Sequence, residues 1–130
     1  ELYPGALEVL AELAERFCLG ALTNGNADIY RTEAGPYFEF AYQAEQVGAS
    51  KPTAAMFEAA LARTGAKPAE VLHVGDSVDH DVLGAQRVGL RTVWINAGNE
   101  SWTQATPPDA TIRHVTALAE VVHRLNSQPQ

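Results

Sequence analysis

Short apolar runs alternate along this chain with longer segments of helical periodicity, and that alternation limits the fold more than any other feature. Residues 18–22, 38–43, 71–74 and 91–95 read as strands, and residues 110–114 as a last one. Residues 4–16, 52–63, 78–88 and 116–125 read as helices, and residues 27–33 as a short one. Pro4 and Pro52 suit first helical turns, while Gly65 and Gly89 suit helix ends. In the first helix Leu7, Leu10, Leu13, Ala14 and Phe17 are expected to share a face. Strands that alternate with helices form a mostly parallel sheet with helices on both faces. An α/β three-layer sandwich of Rossmann-like type is therefore expected. Residues 1–126 should form one core domain and residues 127–130 a flexible tail.

In such folds ligands sit at the carboxyl ends of the strands. Three polar features fall there. Thr23-Asn24-Gly25 follows the first strand, Lys51 follows the second at some distance, and Gly75-Asp76 ends the third. A hydroxyl and free backbone amides after a strand can cradle a phosphate, although Asn-Gly-Asn is also ordinary turn chemistry. Lys51 is one of two lysines among nine basic residues and precedes Pro52 at a helix start. A cation there opposes the helix dipole, so a phosphate or Asp81 would answer it; a surface lysine in a loop is the plainer alternative.

Asp76, Asp79 and Asp81 lie within six positions. Acids near a core cost free energy unless they are solvated, paired or bound to a metal. Magnesium takes oxygen ligands, often one or two carboxylates with substrate phosphate and water. Asp76 and Asp81 could converge on one such ion, whereas Asp79 suits a helix-start charge. An EF-hand loop does not fit, because the twelfth position is Leu90. Gly20 and Gly25 have P-loop spacing, but Asn26-Ala27 stand where Lys-Ser/Thr belongs. No Gly-x-Gly-x-x-Gly turn occurs. His73 and the two tryptophans read as packing groups.

The net charge of -7 and the isoelectric point near 4.9 argue against nucleic acid as a partner, which needs a basic face. They leave room for a small phosphate ester held at a local positive site. Cys18 is the only cysteine, so no internal disulfide forms and a cytoplasmic chain is expected. No apolar run suggests a membrane span.

Taken in order, these motifs resemble the haloacid dehalogenase-like (HAD) hydrolase superfamily. Leu22-Thr23-Asn24-Gly25 is similar to its second motif and Ser50-Lys51-Pro52 to its third. Gly75-Asp76-Ser77, with Asp81 and Gly84-Ala85, is similar to its fourth. Within that superfamily, Thr23 to Ala27, Tyr37 to Phe40 and Leu72 to Asp76 look like bacterial phosphatases of flavin mononucleotide and of the phosphoribitylamino-uracil precursor of riboflavin. The resemblance implies a phosphatase that uses Mg²⁺ and an aspartyl-phosphate. Thr23, Asn24 and Gly25 would hold phosphoryl oxygens, and Lys51 would neutralise charge. Asp76 would ligate the metal, and Asp81 would support it through water or pair with Lys51.

The family's first motif, a strand ending Asp-x-Asp-x-Thr/Val, is not matched. The Asp residues are Asp28, Asp76, Asp79, Asp81 and Asp109, and none fits. The resemblance places that strand in mid-sheet, between the strands ending at Leu22 and Val74. The chain is thus expected to lack the central nucleophile strand and to be inactive alone. The gap would be closed by direct pairing, by another chain's strand (self-association through the incomplete sheet) or by a further segment. A metal-free haloacid dehalogenase and a non-catalytic α/β binding module are the competing expectations.

Overall fold

A computed structural model describes residues 4–23, 33–43 and 54–127 of the chain. Helix α1 (Ala6–Ala14) leads into strand β1 (Gly20–Thr23), and β2 (Phe40–Gln43) follows. Then come α2 (Ala54–Thr64), β3 (Leu72–Gly75), a π-helical turn (Val78–Leu83) and α3 (Gly84–Val88). Strand β4 (Arg91–Ile95), β5 (Ala110–Ile112) and α4 (Leu118–Asn126) complete the order. The expected short helix at 27–33 falls almost wholly outside the described residues, as does the tail from 128 on.

All described strand pairings are parallel, but they form two sheets. One contains β1 and β2, with Thr23 opposite Gln43. The other runs β3-β4-β5, with Gly75 opposite Trp94 and Ile95 opposite Ile112. No described strand joins β1 to β3. A cavity of about 580 Å³ lies there instead, walled by Leu19–Thr23 on one side and Val71–Val74 on the other. Leu13 and Phe17 line it from the N-terminal segment, and Val122 and Leu125 from α4.

Period-two alternation sorts the strand residues between two apolar layers. Val93 and Ile95 of β4, with Ala110 and Ile112 of β5, pack against α1 and α4. Helix α1 contributes Ala6, Val9 and Leu13, while Leu7 and Leu10 are only half-buried. The helical period was legible, but its buried stripe is rotated from the one expected, because α4 covers the Ala6–Val9 side. On the opposite face Phe57, Ala85 and Leu90 form a second cluster, joined by Leu22 and Val71. Helices therefore cover both faces, as a three-layer α/β sandwich requires. Gly84 and Ala85 are fully covered where α3 lies over the sheet, and Gly89, at a φ of 93°, ends that helix in the left-handed conformation that glycine adopts without strain.

Candidate metal and phosphate site

The end of β3 is where the acids gather. Alternation along the strand turns Leu72 and Val74 towards the α1/α4 layer and Val71 towards the Phe57 layer. His73 and Gly75 share the face of Val71. The His73 ring meets the edge of Phe57, with centroids 4.9 Å apart and planes at 87°. After Gly75 the chain leaves the strand at Asp76, and the Ser77 hydroxyl caps the next turn by accepting the His80 N–H at 3.1 Å.

A regular α-helix was expected from residue 78, and the structure differs. The Val82 N–H donates to the Ser77 carbonyl at 3.2 Å, one residue further than an α-helical bond, so the turn is π-helical up to Leu83. The wider turn brings Asp81 back over the strand end. Its Oδ2 accepts the Ser77 N–H at 3.1 Å, and its Oδ1 lies 2.9 Å from His73 Nε2. An ionised carboxylate can only accept, so with Asp81 ionised it is Nε2 that donates. Asp81 is 6% exposed. It fits because Gly75 has no side chain: a Cβ there would overlap the Asp81 carboxyl group.

Asp76 is exposed, in contrast to Asp81. Its backbone carbonyl accepts the Trp94 indole N–H at 3.1 Å, which fixes the main chain at this point. Trp94 is itself held edge-on by Trp102, with centroids 5.2 Å apart. Asp79 is exposed in the first turn, as expected of a helix-start charge.

The expected site residues divide cleanly. Asp76 and Asp81 stand together at one strand-to-helix junction. Thr23 ends β1 and lines the same cavity as His73. Asn24, Gly25 and Lys51 lie outside the described residues. Two groups escaped the sequence: the His73 imidazole and the Ser77 amide, both of which hold Asp81. The signal for His73 was its position two residues before Gly75, which puts both on one face of the strand.

The donor set fits a hard cation, since carboxylate oxygens suit Mg²⁺. Asp76 faces solvent, and the Asp81 carboxylate is held at the same strand end. Among the described residues, no three His, Cys, Asp or Glu side chains converge as a metal site. No helix among the described residues is long and apolar enough to cross a membrane.

Comparison with known proteins extends these observations. The family model of haloacid dehalogenase-like hydrolases matches residues 1–89. The chain is 34% identical over 119 residues to 5-amino-6-(5-phospho-D-ribitylamino)uracil phosphatase YigB of Escherichia coli, covering 88% of the chain and 50% of that protein. The crystal structure of 2-haloacid dehalogenase from Pseudomonas syringae superposes with a TM-score of 0.92 at 40% identity, covering 95% of the chain and 54% of its counterpart. The HAD hydrolase YfnB of Bacillus subtilis, solved with bound magnesium, has a TM-score of 0.85 at 28% identity, covering 97% and 57%. The chain spans about half the length of the curated relatives it matches. With the family model matching residues 1–89, more than half of its length, the chain belongs to the haloacid dehalogenase-like hydrolases.

Proposed function

We propose that this chain is the C-terminal core portion of a Mg²⁺-dependent phosphatase that hydrolyses a small phosphomonoester through an aspartyl-phosphate. The observation that carries the proposal is the pair of unequal acids at the end of β3. Asp76 is exposed and backed by a fixed main chain, while Asp81 is buried and hydrogen-bonded on both oxygens. Thr23, at the end of β1, would donate its hydroxyl to a phosphoryl oxygen, with the amides of Asn24 and Gly25 beside it. Lys51 would offset charge between phosphate and nucleophile. Asp76 would hold Mg²⁺ directly, and Asp81 would hold it through water. The ion would neutralise charge on the transferring group, and positioning and neutralisation are most of what phosphoryl transfer asks of a protein.

The nucleophile is assigned to residues other than these 130, because none of the five Asp residues lies in an Asp-x-Asp-x-Thr/Val motif. The cavity between β1 and β3 supports that assignment, since both strands wall it and its lining is mostly apolar. Buried parallel strands are near-continuous apolar runs, which suits such a space. A flavin-pathway phosphate is the favoured substrate class, after the relative named for the ribitylamino-uracil phosphate.

A haloacid dehalogenase is the second reading, favoured by the high similarity to the Pseudomonas syringae structure. Against it stands the pair Asp76 and Asp81, for which metal-free displacement of halide has little use.

The test uses the longest reading frame that contains this chain, assayed with Mg²⁺ on p-nitrophenyl phosphate, flavin mononucleotide and 2-chloropropionate. Phosphate release that is lost with EDTA and with Asp76→Asn is expected. Chloride release would establish the dehalogenase instead, and neither product would leave a binding module. The isolated 130-residue chain is expected to turn over nothing. Turnover by it, abolished by Asp76→Asn, overturns the assignment of the nucleophile elsewhere.

A further inference from the structure

We propose that His73 is the positioning residue of Asp81, fixing the orientation of the second acid at the metal site. This rests on the metal site proposed above. Three observations support it. First, strand alternation puts His73 and the side-chain-free Gly75 on one face, so the imidazole and the space for a carboxylate lie side by side. Second, the imidazole cannot turn freely: its ring stands edge-on against Phe57, itself fully buried. Third, Nε2 reaches Oδ1 at 2.9 Å, while the Ser77 N–H holds Oδ2 at 3.1 Å.

A buried aspartate tied at one oxygen can swing about its side-chain bonds. One tied at both oxygens, from opposite partners, has a single orientation. The Ser77 amide is supplied by the turn itself, whereas His73 holds Oδ1 with a side chain from the strand. The carboxylate is then held in a fixed orientation at the strand end. Outer groups of this kind typically change metal affinity by about tenfold to a hundredfold when removed.

The experiment is a Mn²⁺ titration of the longest reading frame that contains this chain, followed by electron paramagnetic resonance, with thermal unfolding recorded for every variant. His73→Phe keeps the ring and its packing on Phe57 but removes the donor. His73→Gln places an amide N–H near the position of Nε2. Weakening by about tenfold in His73→Phe is expected, with His73→Gln back to within about threefold of the parent. Equal affinity in His73→Phe and the parent, with Asp76→Asn and Asp81→Asn impaired, overturns the role of His73 and leaves the metal site standing. Affinity unchanged in Asp76→Asn and Asp81→Asn, or absent from the parent, overturns both. If His73→Gln is as weak as His73→Phe while folded, the donor is not what matters, and the proposal fails. A measurement on the parent alone guards against variants that do not fold. Long-range ¹H–¹⁵N spectra must show a slowly exchanging proton on His73 Nε2, and a proton on Nδ1 alone overturns the proposal.

Discussion

Replacing Gly75 by alanine tests the tightest contact in the site. The added Cβ would overlap the Asp81 carboxyl group and lie 2.6 Å from the Asp81 Cβ, closer than real Cβ contacts come. Two responses are available. The strand and the π-helical turn can separate, at an overpacking cost of about 1–3 kcal/mol. Alternatively Asp81 can rotate away, forfeiting the bonds to Ser77 N–H and His73, each worth about 1.5–3 kcal/mol to a charged acceptor, and regaining part of that as hydration. The cheaper route sets the loss, at about 2–3 kcal/mol. The sign is informative, because glycine to alanine within a strand otherwise stabilises by about 0.5–1 kcal/mol. Urea unfolding followed through the fluorescence of buried Trp94 gives the measurement. With a slope of about 2 kcal/mol per molar, the midpoint should fall by about 1–1.5 M. The same substitution in an Asp81→Gly background, which removes the Asp81 Cβ as well as its carboxyl group, should cost less than about 0.5 kcal/mol, leaving most of the loss as coupling between the two positions. A penalty equal in both backgrounds, or none in either, would falsify the close packing of Asp81 on the strand end.

Two further outcomes follow from the packing and the titration of single residues. Phe57 is fully buried, so Phe57→Ala should cost about 3–5 kcal/mol by chemical denaturation; a loss under about 1 kcal/mol means that the second apolar layer is not packed as described. The Cys18 thiol is pushed up by partial burial first, then by its hydrogen bond and charge repulsion from Glu39, against a smaller opposing pull from Arg63. A raised value means less thiolate at a given pH, so the pH midpoint of iodoacetamide alkylation should lie above that of a free cysteine peptide and fall towards it in Glu39→Gln. A midpoint at or below the peptide's contradicts the Sγ to Oε2 contact of 3.2 Å.

Much of the fold was legible in the sequence because it is local. The run Arg91–Ile95 is a strand to the residue, and Gly89 stops the preceding helix, since apolar period and glycine punctuation act over a few residues. Asp76 could be placed at a strand end for the same reason. The separate character of Asp79 was also legible, as an acid in a first helical turn.

What the tertiary structure decided depends on partners distant in the chain or on small changes in backbone register. The buried stripe of α1 is Ala6, Val9 and Leu13, because α4, more than a hundred residues away, selects which apolar side is covered. The split into two parallel sheets follows from which strand edges meet, and no periodicity within one strand records its neighbour. Asp81 is the sharpest case. An acid five residues after Asp76 could have faced water or an ion. One π-helical turn, a missing Cβ at Gly75 and the His73 donor hold it inside instead. The sequence by itself determined which chemistry stands at the end of β3. Only the folded chain decided that one acid is presented while the other is held, because burial and hydrogen bonding are properties of the surroundings and not of the residue.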